Sequence, residues 1–113
     1  LARAVRDLRD MGPSTAVISM GAEGWVAGRR DRIVLAAPPA VTARSSVGAG
    51  DALVAALAYA MVEGLEFETS VRLAAAMGAA TAAAGGSSVA DMDAVRAMLP
   101  QVALTRLDQE IAQ

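Results

Sequence analysis

At 113 residues the chain has room for one compact domain around one core, and not for two. Its 55% hydrophobic content excludes a disordered polymer, while 10 arginines against 12 acids, with no lysine, exclude a strongly basic nucleic-acid binder. The lack of cysteine excludes disulfides and thiolate chemistry and fits the cytoplasm.

Leu1, Val5 and Leu8 recur at helical spacing between arginines and aspartates, and Gly12-Pro13 closes that helix. Leu1 falls inside the helical pattern with no methionine ahead of it, so the expectation is a piece of a longer chain. Thr15 to Met20 is a short run rich in β-branched residues, suited to a buried strand, and Gly21 to Gly24 is a turn. Trp25 to Ala27 and Arg32 to Ala36 flank the tip Gly28 to Arg30 as a β-hairpin. The arginines of that tip, beside Asp31, read as a solvated loop. Pro38-Pro39 then forces an extended connector towards Val41-Thr42.

A helix is predicted from Ala52 to Glu63, ended by Gly64. Its apolar run, Ala52 to Val62, is shorter than the roughly 20 residues a bilayer requires. A second helix runs from Glu66 to Ala84, ended by Gly85-Gly86. Its apolar face, Phe67, Val71, Ala74, Ala75, Gly78, Ala79 and Ala82, is small enough for another backbone, or a flat ligand, to approach closely. Asp91 is placed to cap a third helix ending near Leu99-Pro100, and Val102 to Leu107 reads as a last strand. Strands alternating with helices argue for an α/β layered fold in a single domain, residues 1–113.

The chemistry gathers at "SSVGAGDALVAALAYAM", Ser45 to Met61. Glycines ahead of a helix permit unusual backbone angles and close approach of main-chain N–H groups to a ligand. The first helical turn leaves those N–H groups without internal partners, and its dipole adds positive charge, which suits phosphate. Asp51 stands at the same place. A carboxylate repels phosphate, but it can accept the proton of a hydroxyl that attacks phosphate. In the plainer reading Asp51 caps the helix while Gly48 and Gly50 make a tight turn; taken alone, the four letters GAGD favour it.

The context shifts that balance. A second glycine turn, Ser19-x-Gly21-x-x-Gly24 with Ala22 inside it, ends the strand of "VISMGAEG". The two turns, the hairpin and Pro-Pro connector between them, and the Ala/Gly-rich helix downstream resemble the PfkB-type, or ribokinase-like, carbohydrate kinases. The resemblance runs from Thr15 to Leu99 and is nearest to the branch of phosphofructokinases, 1-phosphofructokinases and tagatose-6-phosphate kinases. It implies the carboxy-terminal portion of a ribokinase-like three-layer fold. By the same resemblance Asp51 is the general base, and the backbone of Gly48, Ala49 and Gly50 is the anion hole. Ser19, Gly21, Ala22 and Gly24 meet the nucleotide, and Ala75 and Ala79 border the adenine. Ser45, Val47, Ala84, Gly86 and Ser88 correspond to main-chain ligands of a monovalent cation. The implied cofactors are ATP, Mg²⁺ and K⁺, and the implied substrate is a sugar or sugar phosphate. A homodimer of the full-length protein is expected, with no nucleic-acid or membrane partner.

Two departures stand out. Ala52 follows GAGD where the family usually has Ser or Thr, so a helix-start hydroxyl is missing. Family chains are also far longer, and their sugar-binding glycine motif, lid strands, Mg²⁺-associated acids and phosphate-contacting lysine have no counterpart here. The expectation is therefore a fragment with negligible activity alone. The alternatives are a non-catalytic nucleotide-binding or regulatory domain of the same fold and a ribokinase- or nucleoside-kinase-type enzyme. A dinucleotide-binding Rossmann unit is disfavoured, since neither glycine turn reads GxGxxG after the first strand of a βαβ unit.

Overall fold

A computed structural model describes residues 1–38, 48–84 and 91–108. The predicted connector beyond Pro38 and the Gly85-Gly86 helix stop lie outside these residues. The order of elements is α1 (Ala2–Asp10), β1 (Thr15–Ser19), a 3-10 turn (Gly21–Glu23), β2 (Trp25–Arg29), β3 (Arg32–Ala37), α2 (Ala49–Val62), α3 (Phe67–Ala84), α4 (Met92–Met98), a second 3-10 turn (Leu99–Gln101) and β4 (Ala103–Arg106).

The strands form one antiparallel sheet in the order β1-β2-β3-β4. Side chains alternate across it, so each strand serves two cores. Val26 of β2 and Ile33 of β3 turn to one face and meet Val5 of α1. Trp25, Ala27, Val34 and Ala36 turn to the other and meet the Val71 and Ala74–Ala76 stretch of α3 and Val95 of α4. The result is three layers, helix on sheet on helix. This is the layering expected from the alternation of elements.

Two polar devices tie the ends of the sheet. Arg72 of α3 donates to the carbonyls of Leu99 and Val102 and so fixes where β4 begins. Beyond β4, the Leu107 N–H donates to the Ile33 carbonyl at 2.7 Å, and the Ile33 N–H donates to Asp108 Oδ1 at 3.3 Å. α2 stands apart from this scheme. It packs principally on α3 rather than on the sheet, leaving Val54, Tyr59, Met61 and Val62 exposed.

The hydrogen bond from Arg106 holds the Asp108 carboxyl below its ordinary range, and the Ile33 amide adds to the effect against the opposing cost of burial. A carboxyl lowered on folding contributes stability that is complete above its unfolded value, near pH 4, and is lost as pH falls through the lower folded value. Asp108→Asn should therefore flatten the acid limb of a urea-unfolding profile. The same acid slope in both proteins would remove this role.

Candidate active site

The helix that carries Asp51 begins at Ala49, three residues before the start of the apolar run. The cause is Gly48, whose left-handed backbone (φ 82°, ψ −10°) turns the chain into the helix as its N-cap. The first helical bond runs from the Ala52 N–H to the Gly48 carbonyl at 2.9 Å. The N–H groups before Ala52 are thus left outside the helical ladder. Asp51 is not the cap. It sits in the first turn with an exposed side chain, and among the described residues its carboxylate accepts no hydrogen bond.

Among the described residues the front of this turn is open, because a Cβ built on Gly50 would meet nothing there within 4 Å. The back is closed by α3. A Cβ on Gly48 would stand 3.8 Å from Thr81 Cγ2, and one on Gly78 would stand 3.5 Å from the Ala49 carbonyl oxygen. Gly78 and Thr81, one turn apart on α3, therefore form the wall behind the candidate anion hole. Sequence reading placed Gly78 on a packing face and passed over Thr81. The signal was its hydroxyl side chain standing alone in the small apolar run Gly78 to Ala84.

The upstream glycine turn is equally defined. The Met20 N–H donates to the Gly24 carbonyl at 2.8 Å, and the Gly24 N–H donates to the Gly21 carbonyl at 3.1 Å. Ser19 ends β1 with its side chain exposed, and Gly21 opens the 3-10 turn that includes Ala22. Gly24 is required by its backbone (φ 101°) and by its neighbour, since any side chain there would collide with the Ala36 carbonyl.

Ala75 and Ala79 both lie inside the helical layer; Ala75 is 2% exposed and belongs to the core around Trp25 and Ala56. Of the five carbonyls matched to a monovalent cation, only that of Ala84, the last residue of α3, is described. Ser45, Val47, Gly86 and Ser88 lie outside the described residues. No group of three or more His, Cys, Asp or Glu side chains gathers among the described residues. No helix among them is long and apolar enough to cross a membrane.

The hairpin tip and the α2–α3 connection share a cleft of about 390 Å³ lined by Arg29, Arg30, Asp31, Arg32 and Leu65 to Phe67. A neighbouring cleft brings Arg6 and Arg9 to Arg30, with Asp10 and Asp31. Since β2 and α2 both run towards this arginine-rich end, both glycine turns lie at the opposite one. Carboxylates interleave with the guanidinium groups, and Arg32 is already paired with Glu68 at 3.3 Å. The charge there is largely balanced.

A family model described as pfkB family carbohydrate kinase matches residues 1–94. The chain is 48% identical over 73 residues to a 1-phosphofructokinase of Rhodobacter capsulatus, covering 65% of this chain and 23% of that protein. It is 37% identical over 103 residues to the 1-phosphofructokinase of Escherichia coli K12, covering 89% of this chain and 32% of that protein. Among solved structures, Escherichia coli phosphofructokinase-2 in complex with substrates and products superposes with a TM-score of 0.82 at 26% identity. That match covers 88% of this chain and 33% of the enzyme. The same enzyme has structures in complex with potassium and as a tetrameric inhibited form. The chain thus spans about a third or less of the length of these relatives.

The open front of the turn makes a stability prediction. Gly50→Ala introduces a methyl into free space at a helical position, so it should leave stability unchanged or raise it by about 0.5–1 kcal/mol. Chemical denaturation checks this, and a loss above roughly 1 kcal/mol would contradict the open front.

Proposed function

Because the chain belongs to the pfkB family of carbohydrate kinases, we propose that it is the nucleotide-binding, carboxy-terminal part of an ATP-dependent sugar or sugar-phosphate kinase. The observation that carries the reading is the Gly48 cap, which sets N–H groups outside the helical ladder beside a carboxylate that accepts no hydrogen bond among the described residues, at one helix mouth. The relatives named 1-phosphofructokinase favour a sugar phosphate over a free sugar.

In this mechanism the N–H groups of Gly48, Ala49 and Gly50 hold the transferring phosphoryl group and meet the charge that grows on its oxygens. The Asp51 carboxylate takes the proton of the acceptor hydroxyl as that oxygen attacks in line. Ser19, Gly21, Ala22 and Gly24 contact the nucleotide from the neighbouring turn, with Ala75 and Ala79 on the helix beside the base. The Ala84 carbonyl is one ligand of a K⁺ site, a reading supported by the potassium complex of phosphofructokinase-2. The tetrameric form of that enzyme supports self-association of the full-length protein, with a homodimer as the simplest assembly. Residues for the sugar and for Mg²⁺ come from elsewhere in the longer polypeptide, and the 113 residues alone are inactive.

Asp51→Asn in the full-length protein tests the chemistry. Turnover should fall at least about a hundredfold, while ATP affinity measured by isothermal titration stays within a few-fold. Undiminished turnover would refute Asp51 as the base; a full-length wild-type protein that binds ATP without turnover would point to the regulatory alternative.

The longer polypeptide also supplies the cover for the exposed face of α2. Met61 on α2 is 53% exposed and Met92 on α4 is 46% exposed in these residues. Limited peroxide oxidation of the full-length protein, read by mass spectrometry, should modify Met92 and spare Met61. Equal modification of both would show that this face of α2 meets solvent.

A further inference from the structure

Reading Gly48 to Asp51 as the phosphate turn, the premise of this inference, leaves open what fixes that turn in space. Its cap is a glycine with no side chain to anchor it, and among the described residues the nearest side-chain atom to a Cβ on that glycine is the Thr81 methyl at 3.8 Å. Thr81 is 7% exposed, one of two buried polar side chains among the described residues, and it sits where α3 crosses behind the turn. One turn earlier, Gly78 faces the Ala49 carbonyl and the Leu53 Cβ, so α3 presents no side chain there to push α2 away.

We infer that Thr81 is a positioning residue for the phosphate turn, acting through its Cγ2 methyl, with Gly78 as the gap that lets α2 seat against it. The physical case is geometric. A left-handed glycine has a broad range of accessible backbone angles, and only packing can narrow it. With Thr81 Cγ2 only 3.8 Å from where a Gly48 Cβ would stand, the methyl bounds how far the turn can move towards α3. N–H groups that stabilise a transition state lose effect when displaced by a fraction of an ångström. The group that locates the turn therefore tunes the rate without touching substrate.

Two substitutions separate the methyl from the hydroxyl. Thr81→Ser keeps the hydroxyl and removes Cγ2; Thr81→Val keeps a methyl at Cγ2 and replaces the hydroxyl by another. In the full-length kinase, Thr81→Ser should lower kcat about five- to tenfold with the sugar KM unchanged. Thr81→Val should stay within about twofold of wild type, assayed well below the thermal transition of each variant. A defect in Val but not Ser would move the role to the hydroxyl and overturn the inference. Full activity in both overturns it as well, as does a loss in both that tracks their unfolding midpoints. Asp51→Asn, run alongside, keeps the two readings apart. If Asp51→Asn is inactive and Thr81→Ser is normal, only the positioning role fails; if Asp51→Asn is fully active, the phosphate-turn reading fails first.

Discussion

The close packing of α2 on α3 is the constraint on which the rest of the site depends. α2 buries Ala56 and Ala60, and the residues that α3 buries include Ala74 to Ala76, Ala79 and Ala80. Each alanine removes little apolar surface from water, so no single contact is strong. What small side chains provide is proximity, and many weak dispersion contacts accumulate between backbones that lie near each other. The placement of the proposed phosphate turn is set in series. The sheet holds α3 through Trp25, Val34 and Ala36, α3 holds α2, and the first turn of α2 holds Gly48 to Asp51. A larger residue anywhere along the alanine interface would act on the site from a distance by tilting α2.

The chain divides its polarity between two ends. Arginines crowd the hairpin tip and the carboxy-terminal end of α1, where Asp10, Asp31, Glu66 and Glu68 offset them. The glycine end presents backbone donors instead of cationic side chains. With 12 acids to 10 arginines the chain as a whole does not draw anions towards it, and exposed charges are screened within about 10 Å at ordinary salt. The binding proposed for the glycine end would therefore be a matter of aligned N–H dipoles over short distances. Such donors are fixed by the helix and lose no side-chain freedom when a ligand arrives.

The elements themselves were largely legible. The β-branched run of β1, the hairpin around Arg30 and the cap of Asp91 follow from local preference, and the structure has them within one or two residues except at α2. There the apolar run begins at Ala52 while the helix begins at Ala49. Hydrophobic periodicity reports which residues face a core, and the first turn of this helix faces outward. Its start is set by the dihedral angles of Gly48, which leave no mark on the apolar pattern. Thr81 escaped for a different reason, since its nearness to the turn joins residues far apart in the chain. Main-chain cation ligands such as those proposed would leave no mark for a third reason: a carbonyl is the same on every residue.

The two aspartates at helix starts show what the glycine cap achieves. In α4, Asp91 is the N-cap and its Oδ1 accepts the Asp93 N–H at 3.1 Å, which is how a carboxylate ordinarily stabilises a helix start. Had Asp51 taken that position in α2, its oxygens would occupy the N–H groups that a phosphate needs, and the carboxylate would itself be engaged as an acceptor. Moving the cap to Gly48 and the aspartate into the first turn separates the two. Glycine brings no side-chain acceptor of its own to those donors. The carboxylate lies at the positive end of the helix dipole and, among the described residues, accepts a hydrogen bond from none of them. The proposed proton acceptor and anion site could then share one helix mouth without neutralising each other, and the left-handed angle at Gly48 is the backbone condition that makes this arrangement accessible.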